Sequence, residues 1–144
     1  MNHDSPSFTF RRNEPLAGKT TFSVGGPAEF YVEALDEPIL RETLAWAKQR
    51  NLNVSVLGGG SNVLVSDGGV AGLVLRVGIR GLRHEASDDR IRVFVGAGES
   101  WDSFVEKTVA EGWAGVECLS GIPGDVGAAP IQNWNNLRAE RAAS

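Results

Sequence analysis

The sequence predicts an α+β fold from three observations. Short apolar segments with strand character outnumber the segments with helical spacing, and the two kinds are interspersed along the chain. No segment repeats another, and no shift in composition marks a linker. With 144 residues, 42% of them hydrophobic and 22% charged, the chain has the length and composition of one packed domain.

The first half of the chain is predicted to contain several strands and one helix. Residues 29–33 alternate well enough for a strand. Asp36 is a candidate N-cap because Glu37 and Pro38 suit a first helical turn, and apolar residues then recur at helical spacing to about residue 50. Further extended segments are predicted at residues 54–57, 63–65 and 73–77.

The second half is predicted to begin with a hairpin and to continue into a helix. Residues 82–85 and 91–95 have strand character and flank the polar turn Ser87-Asp88-Asp89. Ser100 can cap a helix with one apolar face, and Gly112 stands where a left-handed C-terminal residue belongs.

Composition and charge exclude several classes of protein. A formal net charge of −4 and a pI near 5.2 disfavour general nucleic-acid binding, whose surfaces are usually basic. Cys118 is the single cysteine, so an intrachain disulfide is impossible, and with two histidines no metal site is expected. No run approaches the ~20 apolar residues of a membrane span, and residues 1–13 lack a signal-peptide core. We therefore expect a cytoplasmic protein without a nucleic-acid or membrane partner.

Glycine is concentrated in the part of the chain that we single out as a candidate site. The chain has 18 glycines in 144 residues, against a background of about 7%. Gly58-Gly59-Gly60-Ser61-Asn62 follows directly on the predicted strand 54–57. Such a loop can hold a phosphate through successive backbone N–H groups, and it can equally be a plain turn that needs positive φ.

Two familiar phosphate motifs do not fit. A dinucleotide fingerprint counted from Gly58 places its third glycine at Val63, in a segment predicted as strand rather than helix. Gly18-Lys19-Thr20 matches the end of a P-loop, but Asn13 stands at the glycine position and no strand precedes it. A neutral cradle for a diphosphate remains, made of backbone amides, the Ser61 hydroxyl and the Asn62 amide. The glycine-rich residues 121–130 suit either a planar ligand or an ordinary loop.

No residue of the chain is predicted to be catalytic. Ser61 has no identifiable base to activate it, and His84 lies in a predicted hairpin, where a surface position is expected. Tyr31 is expected to be half-buried in a strand. Cys118 has no cationic neighbour in sequence, so it is expected to be a small buried residue.

Four motifs occur together in a recognisable order. They are Thr21-Phe22-Ser23-Val24-Gly25-Gly26-Pro27-Ala28, the loop motif of residues 56–65, Val95-Gly96-Ala97-Gly98 with Ser100-Trp101, and the segment of residues 121–133. Together they resemble the UDP-N-acetylenolpyruvoylglucosamine reductases, also called UDP-N-acetylmuramate dehydrogenases, over about residues 19–133.

The resemblance implies a fold, a cofactor and a reaction. The fold is an FAD-binding domain of the vanillyl-alcohol-oxidase (PCMH) type, incomplete at its C-terminus. Members of the family are cytoplasmic flavoprotein oxidoreductases of peptidoglycan synthesis, and hence of cell-wall biogenesis and cell shape. NADPH delivers hydride to FAD, and the reduced flavin reduces the enolpyruvyl group of a UDP-sugar to a lactyl ether.

The resemblance also assigns cofactor-binding residues in two segments. The FAD diphosphate is expected at Gly58, Gly59, Gly60, Ser61 and Asn62. The isoalloxazine side is expected at Gly121, Ile122, Pro123, Gly124, Val126, Gly127, Ala128, Ala129, Pro130, Gln132 and Asn133.

The resemblance further implies domain boundaries. Residues 1–18 are expected to be a polar leader, residues 19–133 a partial FAD-binding domain, and residues 134–144 a divergent tail, with the substrate-binding domain absent. The family's catalytic serine, arginine and glutamate have no counterpart in this sequence. Two alternatives stay open: an inactive, truncated or frameshifted remnant, and a nucleotide-binding module without redox activity.

Overall fold

A computed structural model describes residues 6–132. The chain divides into two compact units, residues 1–79 and residues 80–144. The predicted tail, residues 134–144, lies outside the described residues.

The first unit is built on a four-stranded sheet with strand order β1-β2-β4-β3. Its strands are β1 (Arg11–Pro15), β2 (Pro27–Ala34), β3 (Val54–Leu57) and β4 (Val70–Val77), with helix α1 (Glu37–Gln49) between β2 and β3. Strand β1 is antiparallel to β2, whereas β2 and β3 both run parallel to β4. The carboxyl ends of β2, β3 and β4 therefore lie at the same edge of the sheet.

Helix α1 begins where the capping pattern predicts. The side chain of Asp36 accepts a hydrogen bond from the Ile39 backbone N–H at 2.8 Å, which satisfies one free donor of the first turn. Trp46 of α1 is buried, and its ring lies 5.3 Å from that of Phe10 and 5.4 Å from that of Phe30. The aromatic contacts attach the helix to the sheet.

The sheet of the first unit buries side chains on both faces. One cluster combines α1 with alternate residues of the central strands and comprises Phe8, Phe30, Val32, Ala34, Trp46, Ala47, Leu73 and Leu75. The other cluster comprises Leu16, Ala28, Tyr31, Leu57 and Val74. Because side chains alternate along a strand, the two clusters occupy opposite faces. A register shift between Ala28 and Phe30 brings Ala28 to the same cluster as Tyr31.

Strand β1 was not predicted, and residues 63–65 do not form the strand that the sequence indicates. Strand β1 is an edge strand with mostly exposed residues, so it lacks an alternating apolar pattern. Residues 63–65 have no regular structure, although Val63 and Val65 pack against the second cluster. Apolar composition here reflects burial rather than strand pairing.

As far as residue 132, the second unit contains a hairpin and three short helical elements. They are β5 (Leu82–Ser87), β6 (Arg90–Val95), α2 (Trp101–Ala110), a 3-10 turn (Glu117–Leu119) and α3 (Ala129–Gln132). The antiparallel hairpin, the Ser100 cap and the left-handed Gly112, whose φ is +70°, confirm the predictions. Trp101, Val105, Leu119 and Ala129 form its core. Among residues 6–132, no helix combines the length and apolar composition needed to cross a bilayer.

Candidate functional site

The glycine-rich loop, residues 58–62, begins where β3 ends. Leu57 is the last residue of β3 and is buried, whereas Gly59 and Asn62 are exposed. Ligands of open α/β sheets commonly bind outside the carboxyl ends of parallel strands. The loop is therefore in a position from which its backbone can meet a ligand.

The glycine-rich loop offers hydrogen-bond donors that the protein does not use. Within residues 6–132, the backbone N–H groups of residues 58–62 have no acceptor, and neither the Ser61 hydroxyl nor the Asn62 amide has a partner. Successive free N–H groups form a site that suits an anion. The loop itself carries no charged side chain, so the donors present fit a diphosphate group bound by dipoles.

Gly60 also has a structural role, which the sequence did not reveal. Its φ is +71°, and a Cβ atom there would overlap the carbonyl oxygen of Lys19. The Thr21 N–H donates to the Gly60 carbonyl at 3.0 Å. Gly60 is thus needed because the backbone of residues 19–21 lies directly against the glycine-rich loop.

A second close approach holds the motif of residues 21–28 against the segment that follows the loop. The Gly26 N–H donates to the Ser66 carbonyl at 2.8 Å, and the Gly69 N–H donates to the same oxygen at 2.9 Å. Gly69 has φ +77°, and a Cβ atom there would overlap the Pro27 carbonyl oxygen. These glycines allow two backbone segments to pack together, so the motif of residues 21–28 lies against residues 66–69, directly after the loop motif.

Lys19, whose backbone lies against Gly60 of the glycine-rich loop, contacts two further polar residues, Glu14 and Tyr31. Lys19 Nζ lies 3.0 Å from Glu14 Oε1 and 4.6 Å from the centre of the Tyr31 ring. Hydrogen bonding by Lys19 lowers the pKa of Glu14. Tyr31 is buried rather than half-buried as expected, since it packs with Leu16 and Leu57, and burial raises its pKa.

The second predicted segment, residues 121–130, is held by the residues that precede α2. The Trp101 N–H donates to the Gly124 carbonyl at 3.0 Å, and the Gly127 N–H donates to the Ala97 carbonyl at 2.9 Å. A Cβ atom at Gly127 would lie 2.8 Å from the Ala97 Cβ. The segment is thus an ordered loop whose backbone packs on the motif of residues 95–101.

Asp102 fixes the start of this segment. Its carboxylate accepts hydrogen bonds from the Gly121 N–H and the Ser120 hydroxyl, both at 2.9 Å. These bonds lower the pKa of Asp102 below its ordinary value of 3.8, the Gly121 N–H contributing most. Because the folded-state pKa is depressed, the anchoring is complete above pH about 4 and is lost as the pH falls through the lowered pKa.

We predict that Asp102→Ala detaches residues 120–121 from α2. The Gly121 amide resonance should titrate in the wild-type chain with a midpoint below 3.8, and this acid transition should be absent from the variant. NMR spectra of the wild type and of the variant, recorded between neutral and acid pH, measure this transition. Glu106→Ala, an exposed change on the same helix, is the control and should keep the transition. A Gly121 amide that does not titrate in the wild type would argue against the anchor.

The structure separates the predicted residues into the two units. Residues 58–62 belong to the first, and residues 121–130 with Gln132 of α3 belong to the second. Asn133 lies outside the described residues. A cleft of about 770 Å³ in the second unit is lined by Phe104, Trp113, Val116 and the hairpin, and includes none of the predicted residues.

Two further side chains are placed as follows. His84 is exposed as expected, and its ring lies 4.7 Å from that of Trp113. Cys118 is exposed, which corrects the expectation that it is buried. Cys118 lies in the 3-10 turn of residues 117–119, and Leu119 is the residue of this turn that is buried. The small size and low polarity of the cysteine were therefore not enough to predict its burial.

Comparison with known proteins defines the class first. A family model described as an FAD binding domain matches residues 28–143. The chain belongs to this family of FAD-binding domains. Its α+β fold agrees with that assignment, and FAD is its cofactor.

The relatives then identify the branch of the family. A UDP-N-acetylenolpyruvoylglucosamine reductase of Thermobifida fusca is 48% identical over 87% of this chain and 35% of its own length. One of Saccharopolyspora erythraea is 45% identical over 82% of this chain and 32% of its own length. These matches confirm the resemblance to the FAD-binding part of such reductases. The chain spans about a third of the length of these curated relatives.

A solved structure agrees with the sequence relatives. The crystal structure of UDP-N-acetylenolpyruvylglucosamine reductase from Thermus caldophilus is similar with a TM-score of 0.59 and 29% sequence identity. The similarity covers 85% of this chain and 40% of that chain. The fold of the described residues is thus that of an FAD-binding part of a reductase.

Proposed function

We propose that this chain is the FAD-binding portion of a cytoplasmic, NADPH-dependent reductase of peptidoglycan synthesis. The proposed reaction converts UDP-N-acetylglucosamine enolpyruvate into UDP-N-acetylmuramate, and it links the chain to cell-wall biogenesis and cell shape. The observation that supports it most strongly is the run of free backbone N–H groups at residues 58–62, at the end of β3. The relatives are named as reductases of UDP-N-acetylenolpyruvoylglucosamine, which supports this substrate and a reduction. The NADPH hydride source and the UDP-N-acetylmuramate product come from the resemblance to that family.

The residues of this chain act by binding and orientation. Residues 58–62 would donate hydrogen bonds to the FAD diphosphate, and residues 121–130 with Gln132 and Asn133 would lie along the isoalloxazine ring. When bound, FAD supplies the hydride chemistry between NADPH and the UDP-sugar. Residues 121–130 carry no long side chain, which suits a backbone that lies against a planar ligand. The proton donor and substrate contacts are assigned to no residue of this sequence.

Two alternatives predict different behaviour. A remnant without oxidoreductase activity would bind FAD or lose it, but would not support the reaction in any context. A nucleotide-binding module without redox activity would be stabilised by a nucleotide other than FAD, since a ligand that binds only the native state raises its stability. The free donors of residues 58–62 fit a diphosphate whether the chain is part of a reductase, an inactive remnant or a nucleotide-binding module. The relatives favour the reductase.

A domain exchange tests the proposed reaction. We predict that the Thermobifida fusca reductase stays active when its matched region is replaced by that of this chain, because the exchanged part carries the proposed FAD-binding residues and the rest of the reductase is retained. FAD-dependent NADPH oxidation in the presence of the enolpyruvyl UDP-sugar is the measurement. The same chimera with Gly60→Ala is the control and should lose activity. A folded, FAD-loaded chimera without activity would support the inactive remnant.

A further inference from the structure

Thr20 is a buried residue whose hydroxyl has no hydrogen-bond partner in the described part of the chain. Its side chain belongs to a residue that is 7% exposed, so bulk water does not replace the missing partner. A buried hydroxyl without a partner costs about 1–3 kcal/mol, and such groups in native proteins usually have a specific reason. Thr20 therefore calls for an explanation beyond packing.

Thr20 lies directly against the glycine-rich loop. A Cβ atom on Gly60 would be 3.0 Å from the Thr20 Cα, and the neighbouring Thr21 N–H donates to the Gly60 carbonyl at 3.0 Å. The preceding residue is also fixed, because the Lys19 N–H donates to the Leu16 carbonyl at 2.9 Å and its side chain pairs with Glu14. The segment of residues 18–20, which failed as a P-loop, thus borders the proposed phosphate site.

Among the described residues, the glycine-rich loop and Thr20 both lack a hydrogen-bond acceptor. The N–H groups of residues 58–62 need an acceptor, and the Thr20 O–H also needs one. The Lys19 ammonium is already paired with the Glu14 carboxylate, so it does not supply the charge that would attract an anion here. An anionic oxygen at the loop would satisfy the backbone N–H groups and the hydroxyl together.

We propose that Thr20 is a further ligand of the FAD diphosphate, donating its hydroxyl to a phosphate oxygen when the cofactor is bound. The inference rests on the proposed FAD site and adds to it a residue outside the glycine-rich loop. The Thr20 hydroxyl is buried, so the contact requires the neighbouring loop to shift. Gly58 and Gly59 make such a shift sterically easy because they carry no side chain.

Thr20→Val tests the proposal, because valine keeps the shape and removes the hydroxyl. FAD affinity, followed by flavin fluorescence, should fall roughly 10- to 100-fold, as expected for a hydrogen bond to a charged group. The melting temperature of the FAD-free variant should equal or exceed that of the wild type, since an unpartnered hydroxyl is removed. A purely structural role would lower stability and affinity together. Thr20→Ser keeps the donor and should retain most of the affinity.

Thr43→Val is the matched control. Thr43 lies on α1, is 0% exposed, and its hydroxyl also has no partner among the described residues. It should resemble Thr20→Val in melting temperature but leave FAD affinity unchanged. If Thr20→Val does not melt cooperatively, Thr20→Ala is compared with Thr20→Ser, and the same difference in affinity is expected.

Three outcomes would overturn the proposal. A wild-type chain that is folded but does not bind FAD overturns the proposed cofactor site and this inference with it. A wild-type chain that binds FAD, with Thr20→Val binding it equally well, overturns the inference alone. Riboflavin lacks the diphosphate, so an equal loss of riboflavin and FAD affinity in Thr20→Val would assign Thr20 a general structural role instead.

Discussion

Gly60→Ala is expected to destabilise the first unit by about 2–5 kcal/mol and to abolish FAD binding. Left-handed backbone costs a residue with a side chain about 1–2 kcal/mol, and steric overlap in a packed region costs about 1–3 kcal/mol more. Both penalties apply at Gly60, where φ is +71° and a Cβ atom would overlap the Lys19 carbonyl oxygen. Relief of the overlap would separate residues 19–21 from the loop and disturb its free N–H groups.

Hydrogen-exchange mass spectrometry of the β2 and β4 peptides measures the loss of stability, and a flavin titration measures the loss of binding. Gly68→Ala is the matched control. Gly68 has no left-handed φ, and the nearest atom to a Cβ there is Ser66 Oγ at 3.9 Å, an ordinary contact. We expect a change within about 0.5 kcal/mol for this exposed position. Wild-type stability and FAD affinity in Gly60→Ala would contradict the structural role of this glycine.

Trp101→Ala is expected to destabilise the second unit by about 3–5 kcal/mol, the usual range for truncating a buried tryptophan. Trp101 is 4% exposed, and its ring lies 5.6 Å from that of Phe104. Its indole N–H donates to the Leu119 carbonyl at 2.8 Å. The Trp101 backbone N–H also donates a hydrogen bond to the Gly124 carbonyl. Loss of the ring should therefore loosen residues 121–130 as well. Hydrogen exchange of residues 119–127 is the measurement.

Two variants separate packing from hydrogen bonding. Trp101→Phe keeps most of the buried ring but leaves the Leu119 carbonyl without its donor, so a loss of about 1–2 kcal/mol is expected. Trp113→Ala removes a partly buried ring of the same unit that contacts the His84 ring at an interplanar angle of 52°, and a loss of about 1 kcal/mol is expected. If Trp113→Ala proved as damaging as Trp101→Ala, the core of the second unit would be centred elsewhere.

Local signals predicted α1, α2, the hairpin and the glycine-rich loop, but not the short helix α3. Asp36 and Ser100 are short polar residues before helical spacing, and each caps its helix as expected. The loop of residues 58–62 directly follows a short β-branched strand, so its position could be inferred without knowledge of the sheet. These features depend on neighbours in sequence, which a single chain displays.

Features that depend on distant partners could not be predicted. Strand β1 is recognisable only through its pairing with β2, because its own residues are mostly charged or polar and mostly exposed. The division after residue 79 has no linker composition. Thr20 has no motif of its own, and its significance comes from Gly60, which is 40 residues away in the chain and adjacent in the fold. The parts of the site that sequence missed are those made by tertiary contact.

Titration of the purified 144-residue chain with FAD, with Gly68→Ala and Gly60→Ala measured in parallel, tests whether residues 58–62 hold the FAD diphosphate. We expect saturable flavin binding to the wild type, similar binding to Gly68→Ala, and no binding to Gly60→Ala. A folded wild-type chain that leaves flavin fluorescence unchanged, or that binds FAD with the same affinity when Gly60 is replaced by alanine, would contradict the assignment of residues 58–62 as the diphosphate site.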